Sequence, residues 1–237
     1  MINQLNVNMI LMKVNGNKAK LITISIFLIV YFYTNNSFCQ ERYINNNTYT
    51  LNKIINTSSN DSLKLILDNL YIKDQTFRQA YRCFKDKYSD DSDEMKFYWE
   101  SIQKQDSINL ITIVNIIDNY GWLGISKVGE QANKTIFLIV QHGDIEIQEK
   151  YLPLLKESVN KGESKGEFYA LLVDRILVKK GLEQEYGTQI KVEKETGNYI
   201  LYPIRDQNNV DVRRAKLGMK PINDYLKNYG LELKFVN

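Results

Sequence analysis

Apolar residues recur at helical spacing from Leu63 onward. Leu63, Ile66, Leu67, Leu70, Phe77, Tyr81 and Phe84 fall on one side of a helix reaching about Tyr88, with Asp61 or Ser62 placed to cap it. The acidic run Ser89-Asp90-Asp91-Ser92-Asp93 breaks the pattern and lacks the ligand and glycine spacing of a calcium loop. A second stripe, Phe97, Ile102, Leu110, Ile113, Val114 and Ile117, predicts a helix over 93–120 closed by Gly121. Ser126 opens a third, with Val128, Ala132, Ile136, Ile139 and Val140 inward, ending near His142 and Gly143. Asp144 caps a fourth through Gln148, Tyr151, Leu155 and Val159, which Pro153 bends or begins. A fifth covers 165–180 and stops at Gly181.

The period then falls from 3.6 to 2. Residues 188–194 carry Ile190 and Val192 on one side, Glu195-Thr196-Gly197-Asn198 turns, and 199–204 is a second extended run, which together predict a hairpin. Two short helices near 211–217 and 222–229 flank Gly218 and Pro221. The predicted fold class is mainly α: about five main helices, a small C-terminal β-hairpin and short terminal helices.

The first residues read as an address. Lys13, Lys18 and Lys20 precede the 13-residue apolar run Leu21–Tyr33, and Thr34–Cys39 is polar with small residues at Ser37 and Cys39. That is a secretory signal over 1–39, cleaved between Cys39 and Gln40, with Met12 as a second start for a leader of ordinary length. The apolar run is shorter than the roughly 20 residues a bilayer needs, which argues against an uncleaved anchor. Phe38 argues against lipid attachment at Cys39. Residues 40–60, rich in Asn, Thr and Ser, form a spacer, and 61–237 form one domain. The predicted location is the periplasm or the medium, with no stable membrane span after cleavage.

Cleavage changes the charge. The chain has 31 Lys+Arg and 28 Asp+Glu, and removing the three leader lysines leaves 28 against 28. A neutral mature chain has no basic excess for nucleic acid. Its single cysteine, Cys83, forms no internal disulfide and reads as a small buried residue on the first helix.

Several polar groups sit in suggestive places, each with an ordinary structural explanation beside it. Asp74, Gln75 and Arg78 share one helical turn, as a ligand site or a surface ion pair. Asp106 and Asn109 share a face, as a site or a brace between helices. The one histidine, His142, lies in Gln141-His142-Gly143-Asp144 and is the natural general base, or a residue packed at a helix end. One histidine cannot build a multi-histidine zinc site, and no metal or other cofactor is predicted. Asp174 and Arg175 diverge by about 100° on their helix. An inward Asp174 orients an imidazole. An inward Arg175 grips a carboxylate or phosphate, or is bridged to Asp74 or Asp106. Tyr186-Gly187-Thr188-Gln189 offers polar groups on a glycine turn, as a substrate rim or as the hairpin's anchor. No nucleophile elbow is present.

Taken in order, Asp74-Gln75 with Arg78, Asp106 with Asn109, Gly121-Trp122, Val128-Gly129, Gln141-His142, Asp174-Arg175, Gln184, Tyr186-Gly187-Thr188-Gln189 and Arg213-Arg214 resemble a bacterial family of domains of unknown function. Leu123 follows Gly121-Trp122 where the resemblance implies a proline, a departure confined to that loop. The resemblance implies a domain over about 61–226 and no mechanism. From the residues, the first expectation is that His142 and Asp174 act as catalytic groups. They would share a pocket for a small polar or anionic ligand held by Asp74, Gln75, Arg78, Arg175, Tyr186, Thr188 and Gln189, with metal-independent hydrolysis. The alternatives are a non-enzymatic envelope module that binds a peptide or protein, and a set of purely structural braces.

Overall fold

In the computed structural model, residues 59–193 and 196–233 are described. The predicted signal, its cleavage point and the spacer up to residue 58 lie outside them. The first helix, α1 (Asn60–Lys85), is capped by Ser59, whose Oγ accepts from the Ser62 backbone N–H at 3.3 Å, so the cap lies two residues before the earlier of the two predicted candidates. Its inward stripe is Leu63, Leu67, Leu70 and then Asp74. Phe77, Tyr81 and Phe84 continue it against Met95, Tyr98 and Ile102. Cys83 points away from that stripe and is exposed, which corrects the expectation of a buried thiol.

Helix α2 (Asp93–Tyr120) starts at a Ser92 cap and ends on Gly121 at φ +72°. Its inner face is Met95, Tyr98, Ile102, Asn109, Ile113, Ile116 and Ile117, while Phe97 of the predicted stripe is exposed. Ile102, Ile113 and Ile117 of that stripe are buried, and Leu110 and Val114 are partly so. Helix α3 (Ile125–His142) bends at Gly129, φ +82°, and buries residues on nearly all sides, as a central helix does. Helix α4 (Ile145–Asn160) begins where Asp144 Oδ1 accepts from the Ile147 N–H at 2.9 Å. Pro153 lies inside this helix and does not begin it. Helix α5 is Gly166–Lys179.

Side-chain contacts fix the directions. Gln131 reaches Asp68 and His142 reaches Asp74, so α3 runs parallel to α1. Asn133 donates to Ser164 at 2.9 Å, and the Phe137 and Phe168 rings stack with centroids 4.5 Å apart, so α5 runs parallel to α3. Helices α2 and α4 return between them. The later halves of α1, α3 and α5 therefore gather at one end of the bundle.

Strands β1 (Ile190–Val192) and β2 (Tyr199–Leu201) pair antiparallel, Ile190 opposite Leu201 and Val192 opposite Tyr199. Helices α6 (Val210–Lys216) and α7 (Ile222–Leu226) close a small second core of Ile204, Val210, Ile222 and Leu226. The described residues are thus mainly helical with one hairpin and short C-terminal helices. No described helix is long and apolar enough to cross a membrane.

Candidate functional site

A carboxylate in an apolar stripe needs partners, because burying it unpaired is prohibitive. Asp74 is 1% exposed. His142 Nδ1 lies 3.0 Å from Asp74 Oδ1, Arg78 Nη1 donates to the same oxygen at 3.2 Å, and Gln75 Nε2 donates to Oδ2 at 2.6 Å. Burial pushes the Asp74 carboxyl up, but His142, Arg78 and Gln75 together outweigh it and hold the group below its ordinary value. An ionised carboxylate only accepts, so Nδ1 is the donor, and in the neutral ring Nε2 carries the lone pair. Nδ1 is the nitrogen the protein engages, and the imidazole remains 17% exposed.

Arg78 extends this pair. Its Nη2 donates to both Asp106 oxygens at 2.9 and 2.7 Å, and its Nη1 also donates to the Asp74 backbone oxygen at 2.8 Å. Asp106 on α2, Arg78 and Asp74 on α1 and His142 on α3 thus form one connected chain. Oxygens of Asp74 and Asp106 and a nitrogen of His142 lie within 4.8 Å of one another, close enough to hold a cation. The Arg78 guanidinium already links the two carboxylates, so a metal ion would have to displace it.

Gln148, which sequence reading took for one more member of the α4 stripe, secures the histidine. Its Nε2 donates to the Gln141 and Gly143 carbonyls at 2.8 and 3.0 Å, on either side of His142. These are carbonyls at the end of α3, where the helix leaves them without a backbone partner of its own. The sequence signal is a glutamine on a periodic apolar face, and the residue is 0% exposed.

Asp174 serves a different assembly. Its Oδ1 accepts from the Glu185 and Tyr186 N–H groups at 2.7 and 3.0 Å, and its Oδ2 from the Thr188 N–H and hydroxyl, both at 2.9 Å. The carboxylate partner of the imidazole is Asp74, and Asp174 is given to the 184–189 loop. Burial pushes the Asp174 carboxyl up against the pull of those donors. Gln184 spans the same loop, accepting from the Gln189 N–H at 2.8 Å and donating to the Gln189 and Tyr202 carbonyls. Gln189 Nε2 turns to the Thr188 hydroxyl at 3.0 Å. Gly187 sits at φ +70°, where an added Cβ would meet Ile222 and Ile204 carbons at 2.5 and 2.8 Å. From the far side, Arg214 Nη1 donates to the Tyr186 carbonyl at 2.6 Å and Arg213 Nε to the Glu185 carbonyl at 2.8 Å. Burial, with Tyr169 and the acids Glu185 and Asp174, pushes the Tyr186 phenol up to about 12. Tyr186, Thr188 and Gln189 are thus braced as one unit with Asp174.

The residues singled out in the sequence form two groups: Asp74, Gln75, Arg78, Asp106 and His142 at one end of the bundle, and Asp174, Tyr186, Thr188 and Gln189 beneath the hairpin. Arg175 belongs to neither. It makes no hydrogen bond or ion pair with the described residues, and its Nε is fully enclosed. Burial alone lowers its pKa. One cavity of about 310 Å³ is lined by Tyr120, Trp122, Ser126 and Ser158, and another of about 600 Å³ by Lys165, Arg214 and Tyr225. Neither reaches His142, whose imidazole is partly exposed at the end of α3.

The model of a family described as Family of unknown function (DUF6624) matches residues 64–234, spanning the five long helices and the C-terminal layer except for the first turn of α1. No curated protein and no solved structure matches the chain.

Proposed function

The chain belongs to this family of unknown function, and from its site we propose an exported protein that binds a small polar or anionic ligand and moves a proton at His142. The observation that carries the proposal is the buried Asp74 carboxyl 3.0 Å from Nδ1 of a partly exposed imidazole. A carboxylate so placed fixes the tautomer and stabilises the imidazolium that forms when Nε2 takes a proton. The reaction class this suits is hydrolysis without a metal. Nε2 accepts a proton from water as the water oxygen bonds to the electrophilic centre, and the imidazolium returns that proton to the leaving group. Such a base contributes about 10²- to 10⁴-fold in rate. Arg78, with Asp106 behind it, keeps the Asp74 carboxylate charged and in place.

Because the chain has a single histidine, a long-range ¹H–¹⁵N spectrum of labelled protein reads this ring without assignment. At a pH where the ring is neutral, the wild type is expected to show Nδ1 protonated and Nε2 bare. In Asp74→Asn the amide must turn a donor toward Gln75, or toward Arg78 and His142, all of them donors now. The tautomer is then expected to invert, as the ring gives up Nδ1–H to accept instead. A wild-type ring protonated at Nε2 would end the proposal.

Export is tested separately. The basic, apolar and polar segments of 1–39 should be removed, so the protein recovered from cells begins at Gln40. A full-length product embedded in the membrane is the opposing result.

A further inference from the structure

We propose that Arg175 is the anion-binding residue of the His142 site, gripping a carboxylate or phosphate of the ligand beside Nε2. The inference rests on the reading of His142 as the proton acceptor and names the charge its ligand carries.

The register of α3 and α5 sets the place. Asn133 pairs with Ser164 and Phe137 with Phe168, an offset of 31 positions, and Gly143 with Lys179, an offset of 36. Those offsets set His142 level with the stretch 173–178 of α5, and long helical side chains lean back toward the N-terminus, so the Arg175 head falls near the height of His142. The face is set by Lys179, one turn further along the same side of α5. Its Nζ reaches the Gly143 carbonyl at 3.4 Å, and its pKa is lowered by burial and then by the Arg175 charge. Arg175 and Lys179 therefore look toward the end of α3.

Energetics supply the second argument. The fully buried charges here are answered: Asp74 by Arg78 and His142, Asp174 by four donors, Arg214 by the Tyr186 and Lys220 carbonyls and the Tyr225 ring. Arg175 is half-buried and is not answered, and its enclosed Nε–H has no acceptor among the described residues. A guanidinium does not shed its proton to escape this. An ordered water would satisfy the N–H but leave the charge unbalanced. Its sequence neighbour Asp174 points about 100° away, into the loop. A second orphan donor, the fully buried Asn109 Nδ2, lies on α2 one turn beyond Asp106, at the height of Asp74. Two unfilled donors and a proton acceptor at one end of the bundle fit a ligand that brings oxyanion acceptors.

The test uses inorganic phosphate and acetate as separate probes on the full mature chain. Phosphate, acetate or both should shift the His142 ring signals and raise the Tm of the wild type, and the stronger probe identifies the anion. In Arg175→Met the affinity for that probe should fall at least tenfold, while the unliganded Tm holds or rises as an unpaired, half-buried charge is removed. Arg175→Lys should retain part of the binding. Phosphate and acetate both failing to shift the wild-type ring, unchanged affinity in Arg175→Met, or a variant that is destabilised or unfolded would each overturn the proposal, the last because it marks a brace. The tautomer of the unliganded ring reports on Asp74 alone, so failure of the proton-acceptor reading and failure of this one are seen in different spectra.

Discussion

Asp174→Ala is expected to detach the C-terminal layer from the bundle, lowering stability by about 3–5 kcal/mol. Three backbone N–H groups, of Glu185, Tyr186 and Thr188, and the Thr188 hydroxyl converge on this 0%-exposed carboxylate. Alanine supplies no acceptor and leaves no room that water reaches easily, so buried donors stay unmade. The loop they hold positions Gly187 against Ile222 and Ile204, and with it the second core. A urea midpoint lower by about 1–2 M is the readout, given a slope of about 2–3 kcal/mol per molar for a domain of this size. Hydrogen exchange sharpens it: those three amides should lose protection before amides of α1 and α3. An unchanged midpoint with the three amides still protected would show that the loop is held by the Arg213 and Arg214 contacts alone.

The helices were legible because their signals are local. Asp93–Tyr120 was bounded by a break and a glycine, and Asp144 by its cap geometry, all within a few residues of sequence. The hairpin followed from a change of period. Which carboxylate would meet the imidazole was not legible. Asp74 and Asp174 lie 68 and 32 positions from His142, and helical spacing says nothing about which helices become neighbours. The usable sign was narrower. Asp74, Asn109, Gln148 and Asp174 each occupy a position where the apolar period calls for a hydrophobe, and all four are buried. A polar residue on a buried face must be answered by another element, so these four marked where helices or loops meet. Whether the answer is a catalytic partner or a brace depends on what converges from outside the segment: an imidazole at Asp74, backbone N–H groups at Asp174. Arg175 was legible only as a charge beside Asp174, since its lack of a partner is a property of the assembled bundle.

The same contrast predicts how acid acts on the fold. Asp74 has a folded-state pKa below its unfolded value. Its contribution is therefore fully present above the unfolded pKa, about 3.9, and is lost as pH falls through the folded value. Asp174 is raised, so its ionisation works against folding above about pH 4 and acid relieves it, an opposite sign in the same window. Asp74→Asn removes the first contribution and keeps the second. At pH 7 the variant should be less stable by about 2–4 kcal/mol, because Arg78 and His142 lose a buried anion and face an amide that offers them a donor. Between pH 5 and pH 3 it should lose distinctly less stability than the wild type, narrowing the gap between them. The exposed carboxylates Glu130, Glu157, Glu163 and Asp224, also lowered by their partners, are common to both proteins and cancel in the comparison. Urea midpoints at four or five pH values across that range suffice. Parallel curves would mean that folding leaves the Asp74 pKa unchanged, so that His142 and Arg78 do not stabilise its charge, and a wild type that gains on the variant as pH falls would mark a protonated Asp74, which could not hold His142 with Nε2 bare.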